Sequence, residues 1–386
     1  MSRKALIASV NYWKSANQVG THHIAKGLCS LGWEVAFISD PISPLHILGG
    51  ISEDLLARFN NYISAVEPTV DCVWSYVPGA LITPNNHPIL KSEWVGRKWH
   101  KFTLPNVMKK IKKVNFDKVD LLIIDSPWQA FWLDSIEYDT SFYRLADRYD
   151  QFFKFNTSAL EMERQVVKRV DFVIYTAKNL EEYVEQMHPQ KSLYFPNGVD
   201  FNHFADGPKD LPPEYNDIPK PIAVYVGMME RWFDFDLVNQ MAGCLPDISF
   251  VLIGPNSLAN KRLVPSPNLF ILGRKDYSDI PRYLSHANVG LIPFNVRDYP
   301  VLVNSVNPLK LYEYMACGLP VVASSWHELE TLNTPAVLSR TTEEFIDAVQ
   351  QICIKSVSGE EFSRYAAEQD WSQRISDLLD FIEINV

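Results

Sequence analysis

Short apolar runs, separated by stretches with helical spacing, recur from one end of this chain to the other. In the first half they are Ala5–Val10, Glu34–Ser39, Val70–Trp74, Leu121–Ile124, Ser141–Leu145 and Phe172–Tyr175. Continuous apolar strands joined by amphipathic helices must be covered on both faces, and a parallel sheet meets that need. Thr21 to Leu31 supplies the first such helix, with Ile24, Leu28 and Leu31 in helical register and Gly32 at its end. Leu193–Asp200 reads as a strand ending in a turn, and the Pro- and Asp-rich stretch from Gly207 to Pro221 reads as a linker. The alternation then restarts. Strands are expected at Ile222–Val226, Ser249–Ile253, Leu269–Leu272, Val289–Ile292 and Val321–Ala323, with helices near Phe235–Gly243, Ile280–Ala287 and Leu309–Cys317.

The pattern predicts an α/β chain of two Rossmann-like domains in tandem, residues 1–205 and 206–365, with ligands at the carboxyl ends of the strands and a cleft between the domains. A length of 386 residues agrees with two domains. Residues 366–386 end a helix running from Glu361 to Ile384. Its apolar face of Trp371, Ile375, Leu378, Leu379 and Ile382 is expected to pack back on the N-terminal domain.

Composition excludes several classes. A formal net charge of −10 argues against a chain that coats itself on nucleic acid, which needs a broadly basic face. The five cysteines are scattered and form no C-x-x-C pair, so neither a zinc site nor a disulfide framework is indicated. The run Ala5–Val10 is too short for a secretory signal or a membrane span, and no ~18-residue apolar run follows, so a cytoplasmic protein is expected.

Three stretches of the second half carry chemistry. Val224-Tyr-Val-Gly227 and Phe250-Val-Leu-Ile-Gly254 are strands that stop at glycine, where a ligand can approach the backbone. Met229 and Arg231 follow the first, and Leu272-Gly-Arg274 lies beyond the second; the arginines could pair with phosphate oxygens. The third is Pro308-Leu-Lys310-Leu311-Tyr-Glu313-Tyr-Met-Ala-Cys-Gly318-Leu-Pro320, a helix opening beyond proline. Its free N–H groups and positive dipole end suit a diphosphate, Lys310 adds a point charge, and Glu313 could accept from ribose hydroxyls. Phe294, after the strand Val289–Ile292, completes the candidate donor residues.

This constellation, with Asn197-Gly-Val-Asp200 ahead of the linker, resembles the nucleotide-binding signature of GT-B glycosyltransferases, commonly K-x-x-E-x-x-x-x-G-x-P-V. The order and spacing match over most of the chain. Many retaining members carry a second glutamate eight residues before Glu313; here that position is Ser305.

In the first half, Phe142-Tyr-Arg144-Leu-Ala-Asp147 is similar to the segment holding the catalytic aspartate in the glucuronosyltransferases of xanthan synthesis. The C-terminal signature also aligns with that family and with teichuronic-acid transferases. By that resemblance Asp147 is the general base of an inverting reaction, deprotonating the acceptor hydroxyl as the diphosphate leaves from the opposite face. The plainer reading is that Asp147 caps a helix or pairs with Arg144 or Arg148, and Asp150 is the alternative base. Asn17, Gly20, Thr21, His22 and His23 lie between the first strand and first helix. With Arg144 they are candidate acceptor contacts, His22 and His23 also for proton transfer, although histidines at a helix start are often only capping. No metal is expected, since Asp234 and Asp236 sit at a helix start where acidic residues favour the dipole anyway. No cofactor is expected beyond the nucleotide-sugar substrate.

Lys91 to Lys118 carries nine Lys/Arg against Glu93 and Asp117 in an otherwise acidic chain. Trp94, Arg97, Lys98, Trp99, Lys101, Lys109, Lys110, Lys112 and Lys113 form the candidate surface for anionic lipid headgroups, the alternative being a solvated helix face over core aromatics. The sequence thus predicts a membrane-peripheral, inverting transferase taking a UDP-sugar, UDP-glucuronate first, to a lipid-linked or polysaccharide acceptor. A retaining transferase, an epimerase-like enzyme and a non-catalytic nucleotide-sugar-binding subunit are the competing readings. A dehydrogenase is disfavoured because no G-x-G-x-x-G follows the first strand.

Overall fold

The computed structural model describes residues 2–15, 18–48, 53–63, 72–84, 90–152, 156–355 and 357–385. The chain divides into two compact units, residues 1–196 with 375–386, and residues 197–374. The division therefore falls after Pro196, ahead of the Gly207–Pro221 stretch, and residues 197–205 go with the second unit.

The first unit is a seven-stranded parallel sheet: β1 (Lys4–Ser9), β2 (Glu34–Ser39), β3 (Val73–Tyr76), β4 (Lys118–Ile124), β5 (Glu137–Leu145), β6 (Phe172–Tyr175) and β7 (Ser192–Tyr194), in the order β3-β2-β1-β4-β5-β6-β7. The second is six-stranded: β8 (Ile222–Val226), β9 (Ser249–Ile253), β10 (Leu269–Gly273), β11 (Val289–Ile292), β12 (Val321–Ser324) and β13 (Val337–Ser339), in the order β10-β9-β8-β11-β12-β13. Every strand pair is parallel. The central strands are apolar over their buried middles, Ala5–Ala8, Leu121–Ile124, Ile222–Tyr225 and Phe250–Ile253, because both faces are covered. The order of strand addition reverses once in each sheet, between β1 and β4 and between β8 and β11, and those reversals open a crevice at the carboxyl ends of the strands.

The helices used below are α1 (Gly20–Ser30), α2 (Glu53–Ile63), α3 (Glu93–Lys98), α4 (Val107–Lys113), α5 (Thr157–Arg169), α6 (Phe235–Cys244), α7 (Leu309–Ala316), α8 (Thr342–Ile354), α9 (Glu360–Ala367) and α10 (Trp371–Asn385). The single C-terminal helix expected from Glu361 to Ile384 is two, α9 and α10, interrupted at residues 368–370. There Asp370 turns outward to serve the backbone, accepting from the N–H of Phe201 at 3.0 Å and of Ser372 at 2.7 Å. Within the first unit, the Phe381 ring lies 5.5 Å from that of Phe172 and Arg3 pairs with Glu383 at 2.8 Å. Among the described residues, no helix is long and apolar enough to cross a membrane.

Candidate active site

The first unit gathers its polar residues at the β1/β4 reversal. Asp125 follows β4 directly, and its carboxylate accepts from the Val10 N–H at 2.7 Å and the Ser9 hydroxyl at 2.9 Å. Ser9 Oγ in turn lies 3.5 Å from Thr21 Oγ1, on the first turn of α1. Burial pushes the Asp125 carboxyl up, while the Val10 N–H, the Arg144 guanidinium and the two hydroxyls hold it down. Arg144 is itself buried near the end of β5, so close to α1 that a Cβ on Gly20 would fall 2.2 Å from its Nη2. A cation against the positive end of a helix needs carboxylates nearby. Desolvation pulls the Arg144 pKa down, and Asp125 first, then Asp147 and Tyr149, raise it. Tyr149 donates its hydroxyl to the Asp125 carbonyl at 2.6 Å. Asp125, Arg144, Asp147 and Tyr149, with Val10, Asn11 and Val19, line a cavity of about 140 Å³ in which Asp147 is half-buried.

Asp150 is placed differently. Arg148 holds it in a bidentate pair, 2.9 and 2.7 Å, which keeps its carboxyl below the usual range. His22 is wholly buried. Its Nδ1 accepts from the Val19 N–H at 3.2 Å and its Nε2 faces the Tyr12 carbonyl at 3.0 Å, so both nitrogens serve the backbone at the start of α1. Burial brings its pKa down to about 4, and the ring packs against Trp13 and Phe37. The expectation of proton transfer through His22 therefore fails on geometry: neither nitrogen is left to face a ligand. His23 is buried in the same turn, and Asn17 lies outside the described residues.

The second unit builds its site at the β8/β11 reversal. Gly227, Gly254 and Gly273, each ending a strand, have φ of 146°, 149° and 70°. A Cβ on Gly254 would lie 2.0 Å from the Gly227 carbonyl oxygen, so the two strand ends approach as only glycine permits. Helix α7 begins after Pro308 with no side-chain cap and no acidic residue in its first turn, leaving a positive end open. Lys310 sits in that turn. Its Nζ lies 4.8 Å from the centre of the Phe294 ring and 5.6 Å from that of Tyr225, a cation held between two aromatic faces. Desolvation brings the Lys310 pKa down to about 8 against the pull of Glu313, and pushes Glu313 up to about 7 against that of Lys310. Two ionisable groups one helical turn apart are thus held away from their ordinary values, beside glycines that admit a ligand.

The remaining donor candidates scatter. Arg231 is half-buried with its guanidinium 5.5 Å from the Tyr299 ring centre. Arg274 is exposed beyond β10. Met229 and Leu311 are buried in the apolar core, so their side chains cannot meet a ligand and only their backbone could. Asp234 caps α6, accepting from the Leu237 N–H at 2.9 Å. Ser305 is buried with its hydroxyl turned back on the Leu302 carbonyl at 2.7 Å.

In the basic segment, Trp94 is exposed and Trp99 is not. The latter is a core residue, donating its indole N–H to the Trp128 carbonyl at 2.7 Å, which corrects its expected place on the surface. Lys101, Lys109, Lys112 and Lys113 are exposed, and Lys98 and Lys110 half-buried.

Sequence reasoning missed Asp125 and Tyr225. The signal for Asp125 was an acid closing the apolar run Leu121–Ile124. Tyr225 was concealed as an interior position of a buried strand.

Comparison with known proteins gives the same picture for each half. Residues 7–176 match the family described as glucuronosyltransferase GumK, N-terminal domain, and residues 220–354 match glycosyl transferases group 1. A Bacillus subtilis (strain 168) protein named as a teichuronic acid biosynthesis glycosyltransferase, TuaH, is 22% identical over 239 residues, 58% of this chain and 59% of that protein. The matched stretch thus spans about three fifths of that relative's length. Among solved structures, a sucrose-phosphate synthase from Thermosynechococcus elongatus superposes with a TM-score of 0.69 at 15% identity, covering 99% of this chain and 98% of the other. Anabaena HepE, solved with UDP and glucose, gives 0.66 at 14% identity, covering 99% of both chains. One glycosyltransferase domain is thus matched in each unit, and the chain shares the two-domain α/β fold of the GT-B glycosyltransferases, which it resembles in both halves.

Proposed function

We propose that the protein transfers a sugar from a UDP-linked donor, UDP-glucuronate being the first candidate, to a lipid-linked or polysaccharide acceptor with inversion at the anomeric carbon. The observation that carries this reading is Lys310 in the uncapped first turn of α7, held between Tyr225 and Phe294 beside Gly227. A dianionic leaving group offers that lysine and the uncapped helix end more counter-charge than Glu313 alone supplies, and Glu313 is one turn away to accept from ribose. The crystal complexes of HepE contain UDP and UDP-glucose, which supports a UDP-linked donor.

The inverting reading asks for one general base, and for no glutamate at the position where many retaining enzymes carry one. Asp147 fits the first requirement better than Asp150, because it lines the Asp125–Arg144 cavity while Asp150 is occupied by Arg148. Ser305, folded into the core where many retaining enzymes have glutamate, supports the second. Asp147 would accept the proton of the acceptor hydroxyl as its oxygen bonds to the anomeric carbon and the diphosphate departs. His22 then acts as a positioning residue that fixes the start of α1.

Two features support an acceptor on a lipid, met by a peripheral protein at the cytoplasmic face of a membrane. One is the basic segment. The other is an apolar groove of about 380 Å³ beyond the ends of β2 and β3, lined by Ile42, Leu55, Leu56, Phe59 and Leu81, wide enough for the hydrocarbon chain of such an acceptor. The test is transfer from UDP-sugars to lipid-linked acceptors, with the product anomer read by NMR. Inversion, with Asp147→Asn slowed by roughly 10²–10⁴ and its melting unchanged, supports the reading; retention, or full activity of Asp147→Asn, overturns it.

A further inference from the structure

The basic segment does not fold as one continuous face. Helix α4 carries Lys109, Lys112 and Lys113 outward, whereas α3 and the turn after it bring Arg97, Lys98 and Lys101 around a cavity of about 290 Å³. Asp134 and Ser135, just ahead of β5, and Gln165 and Arg169, at the end of α5, complete its polar rim. Residues 134–135 and 169 lie at the amino ends of β5 and β6. The cavity is therefore at the opposite edge of the sheet from Asp125 and Asp147, which follow carboxyl ends.

Its charge is uneven. Four cations line it against one carboxylate, Asp134, which Arg169 engages. Arg97 is engaged by Glu93 and Gln165. Among the described residues, Lys98 and Lys101 form no ion pair. His100 closes one wall, its ring stacked on Phe131 at 4.2 Å and 10°, with Nδ1 sealed from solvent near the Arg97 carbonyl without a well-formed hydrogen bond. Burial first, then Lys101 and Lys98, bring the His100 pKa down to about 4, so the ring is neutral near pH 7 and adds a polar group rather than charge. Two lysines without an ion pair at a concave site, with Ala130, Phe131 and Met162 as apolar lining, suit a tetrahedral oxyanion with a short apolar attachment.

We propose that this cavity is a binding site for a phosphate group, presented by the headgroup of an anionic phospholipid. The lipid source rests on the membrane-peripheral reading given above. In it, Lys98 and Lys101 approach the phosphate oxygens, while the Gln165 amide, donating to Glu93 and Glu161, and the Ser135 hydroxyl, donating to the Phe131 carbonyl, only shape the rim. The lysines of α4 act only through the long-range attraction that any basic surface exerts on anionic lipid.

Two paired arms test this with the full chain. Sedimentation with phosphatidylcholine vesicles, with and without phosphatidic acid, is compared for the parent, K98Q/K101Q and K109Q/K112Q. Separately, the His100 ring resonances are followed by NMR during titration with inorganic phosphate. The proposal expects binding only to phosphatidic acid vesicles, lost at least tenfold more in K98Q/K101Q than in K109Q/K112Q, and a saturable His100 response to phosphate that K98Q/K101Q abolishes. Equal losses in the two variants, without a saturable His100 response, would leave membrane docking standing and overturn the cavity. A saturable response with no vesicle binding by the parent would retain the phosphate site, assign it a soluble ligand and overturn the membrane reading. No response in either arm overturns both.

Discussion

Replacing Lys310 by methionine should make the unliganded protein more stable while removing its response to nucleotide. The lysine's pKa falls from 10.5 to about 8 in the folded chain. That difference corresponds to about 3 kcal/mol against the charged form, and the attraction of Glu313 is already counted in it. Lys310→Met keeps the length and apolar stem of the side chain between Tyr225 and Phe294 and deletes only the desolvated charge. Glu313, already pushed up to about 7, loses its counter-charge, rises further and stays protonated at pH 7, so no uncompensated anion remains. The sign with pH follows from linkage. Below about 8 lysine is charged in both states and the full cost is present; it fades between about 8 and 10.5, as the folded state gives up its proton before the unfolded one. Denaturant melts at pH 7 should therefore show Lys310→Met more stable than the parent by about 1–3 kcal/mol, with the gain gone near pH 10.5. A nucleotide sugar at 100 times its dissociation constant should add about 2.7 kcal/mol to the parent and nothing to the variant. A variant no more stable than the parent at pH 7 would refute the claim that this lysine is held at a cost.

The same titration reaches binding: donor affinity should fall as pH rises through about 8, because the free site loses its charge there, and calorimetry of Lys310→Arg should show no such fall. Gly254→Ala places a Cβ against the Gly227 carbonyl at a φ of 149°, and should cost about 3 kcal/mol or more in a denaturant melt; an unchanged midpoint would contradict the close approach. Asp125→Ala strips the acceptor from Val10 and Ser9 and a counter-charge from buried Arg144, for a loss of about 3–5 kcal/mol, whereas Asp125→Asn, which keeps an acceptor oxygen, should lose less.

Much of the fold is legible in the chain because parallel strands covered on both faces carry continuous rather than alternating apolar runs. Glu34–Ser39, Phe172–Tyr175, Ile222–Val226, Ser249–Ile253 and Val289–Ile292 are strands over those residues. Val337–Ser339 was invisible for the opposite reason: a three-residue edge strand, with only Ser339 buried, has no run to read. The terminal helices read as one because apolar spacing continues across the break, while the break depends on Asp370 bonding to the distant backbone of Phe201. At the site, glycine and helix-start signals found Gly227, Gly254, Lys310 and Glu313, since they are local. Leu311 and Met229 could not be told from ligand contacts by spacing, because which way a residue beside a site faces is decided by the sheet beneath it. His22 shows the same limit. Its type suggested proton transfer, and only the positions of Val19 and Tyr12 reveal that both nitrogens are engaged.

The most direct test of the central claim is the melting of the purified protein against UDP-, GDP-, ADP- and TDP-sugars. The account predicts a saturable upward shift with a UDP-sugar, about 2.7 kcal/mol at 100 times its dissociation constant, and little with the other nucleotides. A comparable shift with all four would contradict a UDP-selective site, and no shift with any of them would contradict a nucleotide-sugar site at Lys310 and Glu313.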